Sequence, residues 1–251
     1  MPQHENNSEP DRAGARIEAV TFDVTRTLIH APRLGEIYRE VLARHGIEVE
    51  PRAVETRVRL VWEELECRSD PRRDRFGAHP QGARGFWHDF VVRLCQHLEV
   101  GVPTRFATAE LFDRFAKAGG WELYPDVIPV LGTLRELGLR LGVISNWDPR
   151  LPGLLEQLDL ARFFEVVCFS AQTGVEKPHP KIFYQCLEVL GLEPGCVLHV
   201  GDRQIEDVES AQAIGMSAFK LDRKRPDGGL HGMLAALSTR AALWRDVAEQ
   251  R

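Results

Sequence analysis

The periodicity of apolar positions changes twice along the chain. Apolar and β-branched residues run from Ile17 to Phe22 and stop on Asp23, the pattern of a strand buried on both faces of a parallel sheet. Beyond Leu28 the period becomes helical. Leu34 to Gly46 sets Leu34, Ile37, Tyr38, Val41 and Leu42 on one face and closes on a glycine, while Pro51 to Cys67 opens with a proline in its first turn. Gly85 to Val100 and Thr104 to Gly119 repeat the helical period, and the Arg-, Pro- and Gly-rich stretch between Cys67 and Gly85 reads as loop. Residues 31–116 therefore predict an all-helical insert.

From Tyr124 strands and helices alternate. Strands are expected at Leu139–Asn146, Phe163–Ser170, Cys196–Asp202 and Ser217–Leu221. Helices are expected at Asp126–Gly138, Pro149–Leu160, Pro180–Gly191 and Ile205–Gly215, with one more amphipathic helix over Leu234–Gln250. Such alternation predicts a parallel sheet with right-handed crossovers. The fold class is thus α/β: a Rossmann-like parallel sheet core, residues 16–30 plus 117–251, with an all-helical cap domain, residues 31–116, inserted after the first strand.

Composition narrows the setting. The 251 residues are 43% hydrophobic and 27% charged, with a net charge of -5, so no global basic field points to nucleic acid. Five dispersed cysteines without a CxxC pair suit reduced thiols in a cytoplasmic chain. There is no apolar run of about 18 residues to span a membrane. Residues 1–15 are polar, lack the apolar stretch of a signal peptide, and read as a disordered tail.

Polar residues at the ends of the buried strands are the candidate chemistry, because ligands of open α/β sheets bind there. Asp23 after the first strand suits a metal ligand, a nucleophile or a helix cap. Ser145 and Asn146 end the Leu139–Asn146 strand, Asp202 ends the Cys196–Asp202 strand, Asp207 follows five residues on, and Lys177 lies in the loop GVEKPHP. Taken singly, Ser145 reads equally as a turn residue, Lys177 as a solvated loop lysine and Asp207 as a surface charge.

The ordered set FDVTRTL, VISN, KPHPKIF and VGDRQIED resembles the haloacid dehalogenase superfamily, over Val20 to about Leu221, with the insert where that family carries its class I helical cap. The resemblance implies a phosphoryl-transfer site in which Asp23 is the nucleophile. Asp23, Asp202 and the carbonyl of Thr25 would hold Mg²⁺, and Asp207 would bind it through water or orient Lys177. Ser145 would donate to a phosphoryl oxygen, helped by the amide of Asn146. Lys177 would offset the charge of the nucleophile and the transferring group. The implied partner is a small anionic substrate.

One departure bears on activity. Phosphatases of the family carry a second aspartate two residues after the nucleophile as general acid and base. Here Thr25 stands there, followed by Arg26 where glycine is common. Threonine exchanges no proton near neutral pH. Three readings follow. The first is a Mg²⁺-dependent phosphohydrolase that is slow or selective for acyl and aryl leaving groups. The second is a 2-haloacid dehalogenase, disfavoured because Asp202 is retained, and the third is a non-catalytic binding protein. A phosphonatase is disfavoured because residues 31–116 contain no lysine and Lys117 falls on the return linker. In the cap, Arg68, Arg72, Arg73, Arg75 and Arg84 are candidate grips for an anion. Phe86, Trp87 and Phe90 are assigned to the cap's core, and Trp147 is a candidate for the cleft wall.

Overall fold

A computed structural model describes residues 16–67, 70–225 and 228–238. The expected tail at 1–15 lies outside these residues, as does most of the helix expected at Leu234–Gln250; residues 230–238 are helical.

In chain order the elements are β1 (Ala19–Phe22), β2 (Ile29–His30), α1 (Leu34–Arg44), α2 (Pro51–Glu66), α3 (Gly82–His97), α4 (Arg105–Arg114), β3 (Glu122–Leu123) and α5 (Val127–Glu136). They continue as β4 (Arg140–Ser145), α6 (Leu151–Gln157), β5 (Val166–Phe169), α7 (Ser170–Thr173), α8 (Lys181–Leu190), β6 (Val197–Gly201), α9 (Ser210–Ala213) and β7 (Ser217–Lys220). A five-stranded, all-parallel sheet has the order β5-β4-β1-β6-β7. β1 is central because the chain returns to both of its sides: Phe22 pairs with Val143 on one side and Val200 on the other.

That register decides where the site falls. Asp23 follows the last paired residue of β1 and donates its amide to the Val200 carbonyl at 2.9 Å. Ser145 ends β4, and Asp202 follows β6. Three neighbouring strands therefore deliver three polar side chains to one edge of the sheet. Two apolar layers cover its faces. Leu131, Leu134, Leu154 and Leu155 pack on one side, and Ile182, Phe183, Cys186 and Leu190 on the other.

The four helices of the insert have a core of their own, including Ile37, Leu42, Val54, Val61, Phe90, Leu94 and Leu111. The Glu50 carboxylate caps α2 through the Ala53 amide at 2.7 Å, and the Thr104 hydroxyl caps α4 through the Ala107 amide at 3.2 Å. The insert leaves from β2 and returns through β3, which pair antiparallel (Ile29 with Leu123, His30 with Glu122).

Several helix boundaries differ from the sequence expectation, two of them in the insert for a visible reason. α3 begins at Gly82 rather than Gly85, after a turn in which His79 Nδ1 accepts from the Gln81 amide at 3.1 Å. α4 stops at Arg114 rather than Gly119, and the Phe115 carbonyl is taken by the Trp121 indole at 3.0 Å. The expected helix at Ile205–Gly215 forms as a π-type turn, Gln204–Glu209, running into α9. Among the described residues no helix is long and apolar enough to cross a membrane.

Candidate active site at the carboxyl edge of the sheet

Lys177 is the hub of the strand-end cluster. Its ammonium donates to Asp23 Oδ1 at 2.8 Å, to Asp207 Oδ1 at 2.5 Å and to the Ile144 carbonyl at 2.9 Å. These three bonds use all the donors of a lysine. The residue is 3% exposed, so the solvated-loop reading of Lys177 is excluded. Burial favours the neutral amine, but Asp207 and Asp23 outweigh it and hold the ammonium above the usual lysine range.

Asp23 Oδ1 also accepts from the Ser145 hydroxyl at 3.0 Å. Burial pushes the Asp23 carboxyl up to about 6 against the pull of Lys177, with repulsion from Asp207 and Asp202 adding to the rise. Asp202 is raised in the same direction, chiefly by burial and then by Asp207. Ligand atoms of Asp23, Asp202 and Asp207 lie within 4.8 Å of one another. That is a hard-oxygen donor set with more negative charge than one ammonium offsets, and it fits a divalent cation such as Mg²⁺.

Asp207 is 1% exposed and both of its oxygens are engaged, Oδ1 by Lys177 and Oδ2 by the Arg203 amide at 2.8 Å. Its surface-charge reading fails on burial. Burial alone would raise it, yet Lys177 and His199 hold it well below the usual carboxylate range. His199 lies behind it, with Nδ1 on the Thr21 hydroxyl at 2.9 Å and Nε2 toward Asp207 Oδ1 at 3.4 Å. Burial holds this imidazole below its usual range, so near neutral pH it supports Asp207 as a neutral ring. Gly201 makes room for the carboxylate, since a Cβ there would sit 2.2 Å from Asp207 Cγ.

The side chain of Asn146 is engaged by the lysine loop. Its carboxamide donates to the Lys177 carbonyl at 2.9 Å and accepts from the Lys177 amide at 2.6 Å, so it positions the lysine's backbone. Thr25 is exposed and lines the cleft beside Asp23. Arg26 adopts φ +62, the left-handed region that glycine enters without strain, and its guanidinium lies 3.9 Å from Asp202 Oδ2.

The cleft above this cluster is a cavity of about 570 Å³ reaching under the insert. Of the four candidate arginines among the described residues only Arg75 lines it, and Arg75 is bound to Glu176. Arg72 pairs with Asp70, and Arg84 pairs with Asp113. Arg73 is exposed away from the cleft, and Arg68 lies outside the described residues. Sequence composition marks a basic loop but carries no record of these partners. Trp87 and Phe90, assigned to the insert's core, form part of the cleft wall as well, and Trp147 lines the cleft while packing on Trp121 at 5.3 Å.

Two buried carboxylates that sequence reading passed over join insert to sheet. Asp148 accepts from the Trp87 indole at 2.7 Å and from Arg150 Nε at 2.9 Å. Glu176 accepts from Arg75 Nε at 2.6 Å. The adjacency of Asp148 to the Ser145 motif and of Glu176 to Lys177 was the available signal.

Known proteins share this chain's sequence pattern and topology. A family model for haloacid dehalogenase-like hydrolases matches residues 17–215. Haloacid dehalogenase-like hydrolase domain-containing protein 3 of Homo sapiens is 35% identical over 210 residues, 81% of each chain. Glyceraldehyde 3-phosphate phosphatase of Methanopyrus kandleri is 34% identical over 217 residues, 82% of this chain and 84% of its own. A solved haloacid dehalogenase-type phosphatase from Thermococcus onnurineus superposes with a TM-score of 0.55 at 28% identity, covering 82% of this chain and 87% of that one. With a family match spanning every strand-end motif but resting on the whole chain from 17 to 215, the protein belongs to the haloacid dehalogenase-like hydrolases and is an enzyme of that family.

Proposed function

We propose that this chain is a Mg²⁺-dependent phosphohydrolase of small phosphorylated molecules, with Asp23 as nucleophile. The observation that carries the reading is the shared oxygen: Ser145 and Lys177 both donate to Asp23 Oδ1, so the second oxygen is the one left to attack. Relatives named glyceraldehyde 3-phosphate phosphatase support a phosphoryl rather than a halide substrate.

Asp23, Asp202 and the Thr25 carbonyl would hold the metal, with Asp207 reached through water. Bound there, Mg²⁺ would keep Asp23 ionised and offset phosphoryl charge. Asp23 attacks phosphorus and the ester oxygen leaves with the bonding electrons, giving an aspartyl phosphate that water then cleaves. With substrate bound, the Ser145 hydroxyl turns from Asp23 to a phosphoryl oxygen that the Asn146 main-chain amide also holds, and Lys177, still on Asp23, balances charge without donating a proton. Thr25 gives no general acid, so the enzyme favours esters and anhydrides whose leaving group departs unprotonated. The helical insert serves as a cap that excludes water.

The test is phosphate release from acetyl phosphate and p-nitrophenyl phosphate with Mg²⁺ and with chelator, beside chloride release from 2-chloropropionate. Metal-dependent phosphate release, lost in Asp23→Asn, is expected. Metal-independent chloride release would replace this reading with a dehalogenase.

A further inference from the structure

We propose that the natural substrate is an aryl phosphate monoester, its phosphoryl group at Asp23 and its flat aromatic alcohol held by a wall of rings under the insert. The inference rests on the phosphohydrolase reading and names its substrate class. Two independent features of the cleft lead to it, one of shape and one of leaving-group chemistry.

The first is the wall. α2, α3 and α4 turn Trp62, Trp87, Phe90 and Phe112 to the cavity, and the returning chain adds Trp121. Trp62 and Phe90 have centroids 5.0 Å apart, Trp87 and Phe90 5.3 Å, and Trp62 and Trp87 5.6 Å edge to face. A three-carbon sugar phosphate would occupy only a small part of about 570 Å³ and would leave these rings against water. An aromatic body fills such a space and meets ring faces and edges that favour it.

Charge on the wall points the same way. Among the described residues each arginine lining the cleft has a carboxylate within 3.9 Å: Arg26 has Asp202, Arg59 Glu63, Arg75 Glu176, Arg150 Asp148, and Arg203 both Glu66 and Glu206. Arg150 also lies over the Phe112 ring at 3.8 Å and Arg75 over Trp62 at 5.5 Å. Among the described residues the wall thus offers aromatic rings together with arginines that each have a carboxylate nearby, tightly for Arg75 and Arg150 and loosely, in solvent, for Arg26 and Arg59.

The second feature is Thr25, exposed in the cleft beside the nucleophile. An alkoxide must be protonated as it leaves, and an aryloxide need not be. In the first half-reaction the Asp23 oxygen bonds to phosphorus, and the P–O(aryl) bond breaks with its electron pair on the aryl oxygen, which takes its proton from solvent. In the second, a water oxygen bonds to phosphorus, the Asp23 oxygen leaves with its pair, and the water's proton passes to solvent, replacing the one the aryl oxygen took. The sum is aryl phosphate plus water to phenol plus inorganic phosphate.

The experiment is a substrate series on the full-length Mg²⁺-loaded enzyme: 2-naphthyl phosphate, phenyl phosphate, glyceraldehyde 3-phosphate and acetyl phosphate. The naphthyl and phenyl leaving groups are of similar acidity and differ in one ring, so their ratio reads the wall. We expect kcat/KM for 2-naphthyl phosphate to exceed that for phenyl phosphate by at least ~10-fold, the low end of what apolar pockets give for a single methylene, and glyceraldehyde 3-phosphate to be slowest. Trp62→Leu should bring the naphthyl-to-phenyl ratio toward unity. Binding of 2-naphthyl phosphate to Asp23→Asn, read as quenching of tryptophan emission, should weaken ~10-fold with the same change. A ratio near unity in the wild type, or a preference for glyceraldehyde 3-phosphate, overturns the aryl proposal and leaves the phosphohydrolase standing. No phosphate from any of the four, acetyl phosphate included, overturns both.

Discussion

The strand-end cluster and the ring-lined wall face each other across one cleft and are built on opposite rules. At the strand ends nearly every polar atom is assigned: Lys177 spends three donors, Asp207 both oxygens, and His199 both ring nitrogens. Moving any one of them strands a buried partner, which costs far more than the bond itself contributes. The wall across the cleft is largely aromatic surface with carboxylates beside its arginines, and apolar contact tolerates substitution of similar volume. One side therefore fixes a reaction, and the other is free to select among molecules that undergo it.

Substitutions can break or sharpen that contrast. The largest expected effect is Asp23→Asn, which should cut turnover at least ~10⁴-fold, as loss of a covalent nucleophile does, while circular dichroism stays that of the native fold. Full activity in that variant would remove Asp23 from the mechanism. Asp207→Ala comes next. It leaves the buried Lys177 ammonium with Asp23 as its sole carboxylate, and breaking a buried pair typically costs ~3–5 kcal/mol, measurable by urea denaturation. An equal change in Trp62→Leu would erase the distinction between the two regions.

Thr25→Asp should raise hydrolysis of alkyl phosphates ~10²-fold, the lower end of a general acid's contribution. No gain, measured as kcat on an alkyl ester, would put the limit on the left-handed Arg26 beside it. Gly201→Ala should cost ~1–3 kcal/mol by overpacking against Asp207. An unchanged melting temperature there would show that Asp207 can retreat from Gly201.

How much of this was legible in the sequence differs between the same two regions. Asp23, Ser145, Asp202 and Lys177 could be read because each follows a buried strand or its loop, and parallel topology carries strand ends to one edge. Asp207 was found by its offset from Asp202, but its engagement of both oxygens was not. His199 interrupts the apolar run Val197–Leu198–Val200, a signal passed over because a buried histidine declares itself only by its partners. For the arginines of the insert's loop the sequence left grip and solvated surface both open, because composition records a charge and not its partner; Arg75, which lines the cleft, faces Glu176. Asp148 meets Trp87, and Glu176 meets Arg75, across long stretches of chain, and no local period reports such a meeting.

Glu176 has a consequence beyond pairing Arg75. The same short loop also accepts the Asp74 amide at Gly174 and donates the Glu176 amide to the Pro71 carbonyl, so segment 71–75 of the insert is fastened to the residue covalently next to Lys177. The insert's loop and the loop that carries the charge-balancing ammonium are thus tied together by three contacts, Asp74 to Gly174, Glu176 to Pro71 and Arg75 to Glu176. A substitution that cuts Glu176 therefore loosens the segment beside Lys177 as well as the insert.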